Sequence, residues 1–314
     1  MRSRRFHARI PKNTMKVAQV SFLLLLTALA SPWAARAEPK KEAGDWTATQ
    51  IALVNNFDVP ECLLFDPDRN IVFVSNISAK EGEYWSDDGK GFISLLGVDG
   101  EVKNLRWLDS TEKNPINAPK GICVLNDWLY FTDNARLLRC KIGKNIEPGS
   151  APEEIQLPGT KKLNDLATDG RSVFVSDTES GKVFRIVSSG KFREIPAPEN
   201  VNGVTIHRGK LFAVSWGLHE VYGLDADGKI PPKPFGLASH FKNLDGIEVL
   251  DDGTLLVSDF PGNKVCTISP DRKTVRTLIE IESPADIGLD RKRGILYVPQ
   301  FMKDQIVLFQ LKRE

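Results

Sequence analysis

Five residues with chemistry to offer stand at equivalent places along this chain. Glu61, Lys120, Asn164, Asn202 and Asp245 lie just upstream of the apolar residue that opens a strand-like run. The runs are "PECLLF" (60–65), "PKGICV" (119–124), "LNDLAT" (163–168), "VNGVTI" (201–206) and "LDGIEV" (244–249). In a sixth run, "PADIGL" (284–289), the position holds Ala285. Two carboxylates and two carboxamides gathered at one point would suit a hard divalent cation, which takes several oxygen ligands, some of them charged. Without a cation the carboxylates would repel each other, and burial would raise their pKa values. A local cause competes with this one, because Asp and Asn before Gly favour the turn into a strand. Turn chemistry does not favour Glu61.

The elements that must position these residues recur with them. "IVFVSN" (71–76), "WLYFTD" (128–133), "SVFVSD" (172–177), "LFAVSW" (211–216), "TLLVSD" (254–259) and "ILYVPQ" (295–300) are versions of one strand, with last residues 57, 44, 39, 43 and 41 apart. An apolar strand precedes each copy and another follows, as in "KVFRIV" (182–187) and "QIVLFQ" (305–310). Asp169-Gly170, Asp227-Gly228 and Asp252-Gly253 supply hairpin turns. A repeat of about forty residues built from three or four strands is a β-propeller blade. Six copies predict an all-β, six-bladed β-propeller. The ring must close or leave sheet edges unpaired, and "DWTATQIALV" (45–54) is the expected outer strand of the sixth blade. In such a ring the six aligned positions meet at the central channel.

The longest interval follows "VSN" with "ISAKEGEYWSDDGKG" (77–91). That loop should emerge on the same face as the aligned residues, and its Tyr84 and Trp85 suit stacking on a ligand. An acidic surface excursion would look the same in sequence. No G-x-S-x-G elbow and no H-E-x-x-H motif occurs, so neither a serine nucleophile nor that zinc site is indicated.

The blade phrases "LNDLATDGR", "VNGVTI" and "LDGIEV" resemble the gluconolactonase family that includes regucalcin, from about Val59 to the C-terminus. The resemblance implies one divalent cation (Ca²⁺, Zn²⁺ or Mg²⁺) held by Glu61, Asn202 and Asp245. It also implies hydrolysis of a sugar-derived lactone, with Asp245 as general base and Asn164 helping to place the substrate. Lys120, Tyr84 and Trp85 join Asn164 as expected substrate-binding residues. Lys120 departs from the family pattern. Its ammonium would oppose a cation, turn toward solvent or a substrate carboxylate, or replace the cation by neutralising Glu61 and Asp245. The last option belongs to a second reading, a non-catalytic propeller resembling NHL-repeat proteins that binds a small molecule or a protein on its channel face.

Bulk composition narrows the setting. Residues 1–37 hold seven Lys/Arg and no acid, which leaves 35 basic against 41 acidic residues in the rest. A mildly acidic body gives no support for nucleic-acid binding. "MKVAQVSFLLLLTALASPWAARA" (15–37) has the positive start, apolar run and small-residue ending of a secretory signal, cleaved after Ala37, with no stable membrane span expected afterwards. The expected organisation is a signal peptide over 1–37, a linker over 38–44 and the propeller over 45–314, in an exported, periplasmic or secreted monomer. Cys62, Cys123, Cys140 and Cys266 each sit in an apolar run and should be buried and unpaired.

Overall fold

In the computed structural model of the chain, the described residues are 45–144, 146–147, 151–187 and 189–314. The signal peptide and linker expected over 1–44 lie outside them. Residues 45 onward form six four-stranded antiparallel sheets. Five blades run in chain order from inner to outer strand, beginning with Pro60–Asp66, Ile71–Asn76, Phe92–Gly97 and Val102–Asp109 in blade one. The inner strands of blades two to five are Pro119–Leu125, Leu163–Thr168, Val201–His207 and Leu244–Val249. Blade six has the inner strand Gly288–Asp290 and draws its outer strand from the other end of the chain. Trp46–Val54 pairs along Gln305–Arg313, from Trp46 opposite Arg313 to Val54 opposite Ile306. The expected six-bladed ring and its closure are therefore both present. No helix among the described residues is long and apolar enough to cross a membrane.

Apolar side chains pack between blades. Phe73 and Ile93 of blade one meet Ile122 and Phe131 of blade two, and equivalent clusters fill the gaps around the ring. The four cysteines are buried and free, as expected of small hydrophobes in such gaps.

The phrase "VSD" also has a physical cause. In each of the first five blades, the pairing of inner and second strand slips by one residue just after its first pair, between Pro60 and Leu63, Pro119 and Ile122, Leu163 and Leu166, Val201 and Val204, and Leu244 and Ile247. This is a β-bulge, which re-aims a side chain and frees a backbone N–H from the ladder. The serine of the second strand answers that N–H: Cys62 donates to Ser75 Oγ at 2.9 Å, Asp165 to Ser176 Oγ at 2.9 Å and Gly246 to Ser258 Oγ at 2.7 Å. The acid that follows fixes the turn leading into the blade. Asp133 accepts from the N–H groups of Asn117 and Ala118, Asp177 from Lys161 and Lys162, and Asp259 from Lys242 and Asn243.

The same pairing corrects one expected boundary. Val201 faces Ser215, as Leu244 faces Asp259 and Leu163 faces Asp177. The fourth copy is therefore Lys210–Ser215, and Trp216 lies one place beyond its strand rather than at its end. Ser215 holds the position that Asp occupies elsewhere, and the run of apolar residues there gave no mark of the one-residue offset.

Inner strands of neighbouring blades crowd each other at the bulge. A Cβ on Gly203 would collide with the carbonyl oxygen of Asp245, and one on Gly246 with Asp286 and Ile287. Gly203→Ala should therefore cost about 1–3 kcal/mol of stability, read as a lowered urea midpoint, and should shift the strand that carries Asp245. A midpoint equal to that of the parent would show that the two strands have room to part.

Candidate functional site

The bulges determine where the aligned residues point. Glu61, Lys120, Asn164, Asn202 and Asp245 each follow the first paired residue of an inner strand, and all five line one cavity of about 360 Å³ over the channel. Each is more than nine-tenths buried. Ala285 does not join them. It is fully buried among Val59, Ile77, Ala118 and Phe301.

The floor of the cavity holds unmet oxygen chemistry. Glu61 Oε2 and Asn202 Oδ1 are buried and have no hydrogen-bond partner among the described residues. The Asn202 side chain hydrogen-bonds Asp245, which favours the carboxylate form of Asp245. Burial dominates nevertheless and, with the charge of Asp165, pushes Asp245 up to about 7. Burial and the charge of Asp245 raise Glu61 well above the usual carboxylate range, with Lys120 pulling the other way. Buried polar atoms normally find partners. An acceptor-only oxygen set left open beside two carboxyls suits a cation, and the residues present fit one held by Glu61, Asn202 and Asp245.

Lys120 directs its hydrogen bonds to the backbone rather than to the acids of the floor. Its Nζ donates to the backbone carbonyls of Tyr84, at 2.9 Å, and Ala118, at 3.1 Å, and lies 3.8 Å from the centre of the Trp85 ring. Among the described residues, no ion pair within 4 Å joins it to Glu61 or Asp245. Burial lowers its pKa to about 8 against the opposing pull of Glu61, Asp133 and Asp245. The contacts of Lys120 tie down the long loop. Asn134 holds the same loop through Ser86 O at 3.2 Å and Asp87 Oδ1 at 2.7 Å, while the Tyr84 ring packs on Phe301 at 4.8 Å. The loop is thus a strap across the channel mouth, and both Tyr84 and Trp85 line the cavity.

Two groups of residues escaped the sequence reading. One residue beyond the aligned column, Cys62, Asp165 and Asp286 meet inside the channel, with ligand atoms within 4.8 Å of one another. Asp165 accepts from Val204 N and Leu166 N, both at 2.6 Å, and its hydrogen bond with Asp286 favours the protonated form of Asp286. Their signal was a column otherwise made of Gly121, Gly203 and Gly246. The second group follows the second strand in five of the six blades: Ile77, Thr178, Trp216, Phe260 and Phe301 form the cavity wall. Each donates its backbone N–H to the segment leading into the inner strand of its blade, as Thr178 does to Lys162 O at 2.8 Å and Phe260 to Asn243 O at 3.0 Å. The one-residue offset in blade four hid that column. His219 does not line the cavity.

No protein-family model matches the chain, and no curated protein is similar to it in sequence. Solved structures are. A structural-genomics gluconolactonase candidate shares 19% identity at a TM-score of 0.62, covering 86% of this chain and 93% of its own. A catalytically inactive virginiamycin B lyase from Staphylococcus aureus, solved with quinupristin, shares 17% at 0.57, covering 85% and 99%. A chain from a nidogen/laminin complex shares 17% at 0.57, covering 70% and 85%. At these identities the likeness establishes the propeller fold alone. That fold occurs in enzymes and in a binding complex alike.

The raised carboxyls have a pH consequence. A carboxyl held protonated in the folded chain but ionised in the unfolded one makes the folded state lose stability as pH rises, here between about 4 and 7. The loss for Asp245 is on the order of a few kcal/mol. Chelator-treated chain should show a higher urea midpoint at pH 5 than at pH 8, less so in Asp245→Asn. Added Ca²⁺ should raise the midpoint at pH 8 and do little at pH 5. A midpoint that rises with pH in chelator would contradict the assigned protonation.

Proposed function

We propose that this chain is an exported, metal-dependent hydrolase that opens a lactone ring. The observation that carries the reading is the pair of buried, unpartnered oxygens, Glu61 Oε2 and Asn202 Oδ1, beside Asp245 on the floor of an open cavity. The sequence resemblance to gluconolactonases supports it. So does the presence of a gluconolactonase candidate and a lyase among chains of the same fold. Export is part of the proposal because residues 1–37 have the layout of a secretory signal, and a sugar-derived lactone is the starting substrate class implied by the resemblance.

A divalent cation held by Glu61, Asn202 and Asp245 would polarise the lactone carbonyl and make a neighbouring water more acidic. The residues of the chain supply the rest. Asp245, as a carboxylate beside that water, would take its proton as general base. The water oxygen bonds to the carbonyl carbon, and the bond from that carbon to the ring oxygen breaks. The ring oxygen receives the proton, and the product is a hydroxy acid. Asn164 presents a carboxamide to the cavity for a substrate oxygen. Lys120 lines the same cavity, and its charge would favour the negative charge that builds up on the former carbonyl oxygen.

Calorimetric titration of Ca²⁺, Mg²⁺ and Zn²⁺ into chelator-treated protein should show one ion bound per chain. Asp245→Asn should lower kcat for lactone opening by about 100-fold or more, measured as acid release with a pH indicator. Full turnover in that variant would remove Asp245 from the role of base. Full turnover in chelator would remove the cation.

A further inference from the structure

The cavity is built in tiers, and the tiers differ in chemistry. The polar groups on the floor are committed: Glu61, Asn202 and Asp245 to a cation and Asn164 to the reacting ester by the reading above, and Lys120 to the carbonyls of Tyr84 and Ala118. The wall is apolar around most of its circuit. Phe301 packs against Phe260 with ring centres 5.4 Å apart, and Phe260 against Trp216 at 5.6 Å, so three consecutive blades present a continuous aromatic face. Tyr84 of the strap extends that face beyond Phe301, and its hydroxyl is turned to Met302 Sδ at 3.5 Å. Above the floor, few side-chain groups remain for hydrogen bonding: the indole N–H groups of Trp85 and Trp216 and two more. One is the buried, unpartnered Thr178 Oγ1, and the other is Lys162, whose ammonium lies 5.5 Å from the Trp85 ring and 3.6 Å from Glu179.

Such a wall selects by what it fails to offer. A polyhydroxylated ring entering it would leave most of its hydroxyls without partners, and each one taken from water unpaired weakens binding. A flat or branched hydrocarbon meets the opposite condition, because the aromatic face gains from covering it. The cavity volume of about 360 Å³ is within the range of small-molecule sites.

We propose that the substrate is a lactone carrying an aromatic or alkyl group, with its carbonyl at the floor and its apolar part against Trp216, Phe260 and Phe301. Sugar lactones are then poor substrates. The proposal rests on the hydrolase reading for the chemistry, but the ligand class it names is testable without turnover. Thr178 receives the single polar substituent such a molecule can carry at wall height.

The test uses the full chain loaded with the cation it binds, and pairs of probes. Dihydrocoumarin and D-glucono-1,5-lactone serve for turnover. Their lactams, 3,4-dihydroquinolin-2-one and gluconolactam, which resist opening, serve for binding by calorimetry. The aryl lactam should bind about 30-fold tighter than the sugar lactam, and dihydrocoumarin should show the larger kcat/KM by a similar factor. Trp216→Ala and Phe260→Ala should each weaken aryl-lactam binding about tenfold and raise KM for dihydrocoumarin more than they lower kcat. Circular dichroism and cation stoichiometry confirm that both variants are folded. Equal binding of the two lactams, or tighter binding of the sugar lactam, overturns the proposed class. So does an unchanged preference in both variants. Tight aryl-lactam binding with neither lactone opened leaves the ligand class standing and overturns the hydrolase reading instead.

Discussion

The structure depends on one break repeated around its axis. Each inner strand of the first five blades slips by a residue just after it starts, and that slip turns a side chain out of the sheet and into the channel. A regular antiparallel ladder would place that side chain on a blade face, packed against the next blade with the rest of the core. The slip leaves a backbone N–H without its ladder partner. The hydroxyls of Ser75, Ser176 and Ser258 supply the missing acceptor in three blades. In blade six the Asp286 N–H reaches Glu61 O of blade one at 2.9 Å instead, which stitches the last blade to the first. Crowding between inner strands then excludes a Cβ at Gly121, Gly203 and Gly246.

Placing acids on that axis works against solvation. Glu61, Asp165, Asp245 and Asp286 are all nearly inaccessible, and burial raises all four carboxyls. The chain meets this cost differently at two depths. Deeper in the channel, Asp165 and Asp286 hydrogen-bond each other and Asp165 takes two short backbone donors, so that layer satisfies itself. At the cavity floor, Glu61 Oε2 and Asn202 Oδ1 have nothing of the kind. The one buried cation nearby, Lys120, spends its hydrogen bonds on Tyr84 O and Ala118 O and so anchors the strap. The contrast between a satisfied layer and an open one is what separates structural acids from a site.

The repeat was legible in the sequence because the second strand ends in a polar pair in four of the six blades, so "VSN", "FTD" and "VSD" recur for a backbone reason. The aligned column from Glu61 to Asp245 was legible because each member sits just upstream of the apolar residue that opens its inner strand. The structure gathers five of the six positions in one cavity and leaves Ala285 in the core. The aromatic wall was not legible. Trp216, Phe260 and Phe301 fall just past the repeating strand, and Ser215 in place of an acid concealed the alignment of Trp216 with the other two. The path of the strap was not legible either. "EGEYWSDDGKG" carries no periodicity, and what holds it is Asn134 and Lys120 of a neighbouring blade.

The closing strand bears on the order in which the molecule can come into being. Trp46 pairs with Arg313, so the first strand of the ring has no partner until the last strand has been made. Five blades can form locally, each from strands that follow one another in the chain. The sixth must bring together ends separated by nearly the whole sequence, at the loop-closure entropy that such a separation carries. Until then, Trp46–Val54 is an unpaired strand and Gln305–Arg313 an open edge, each able to pair with the wrong molecule. Of all the strand pairings in the ring, this closure spans the greatest sequence separation and so carries the largest loop-closure entropy.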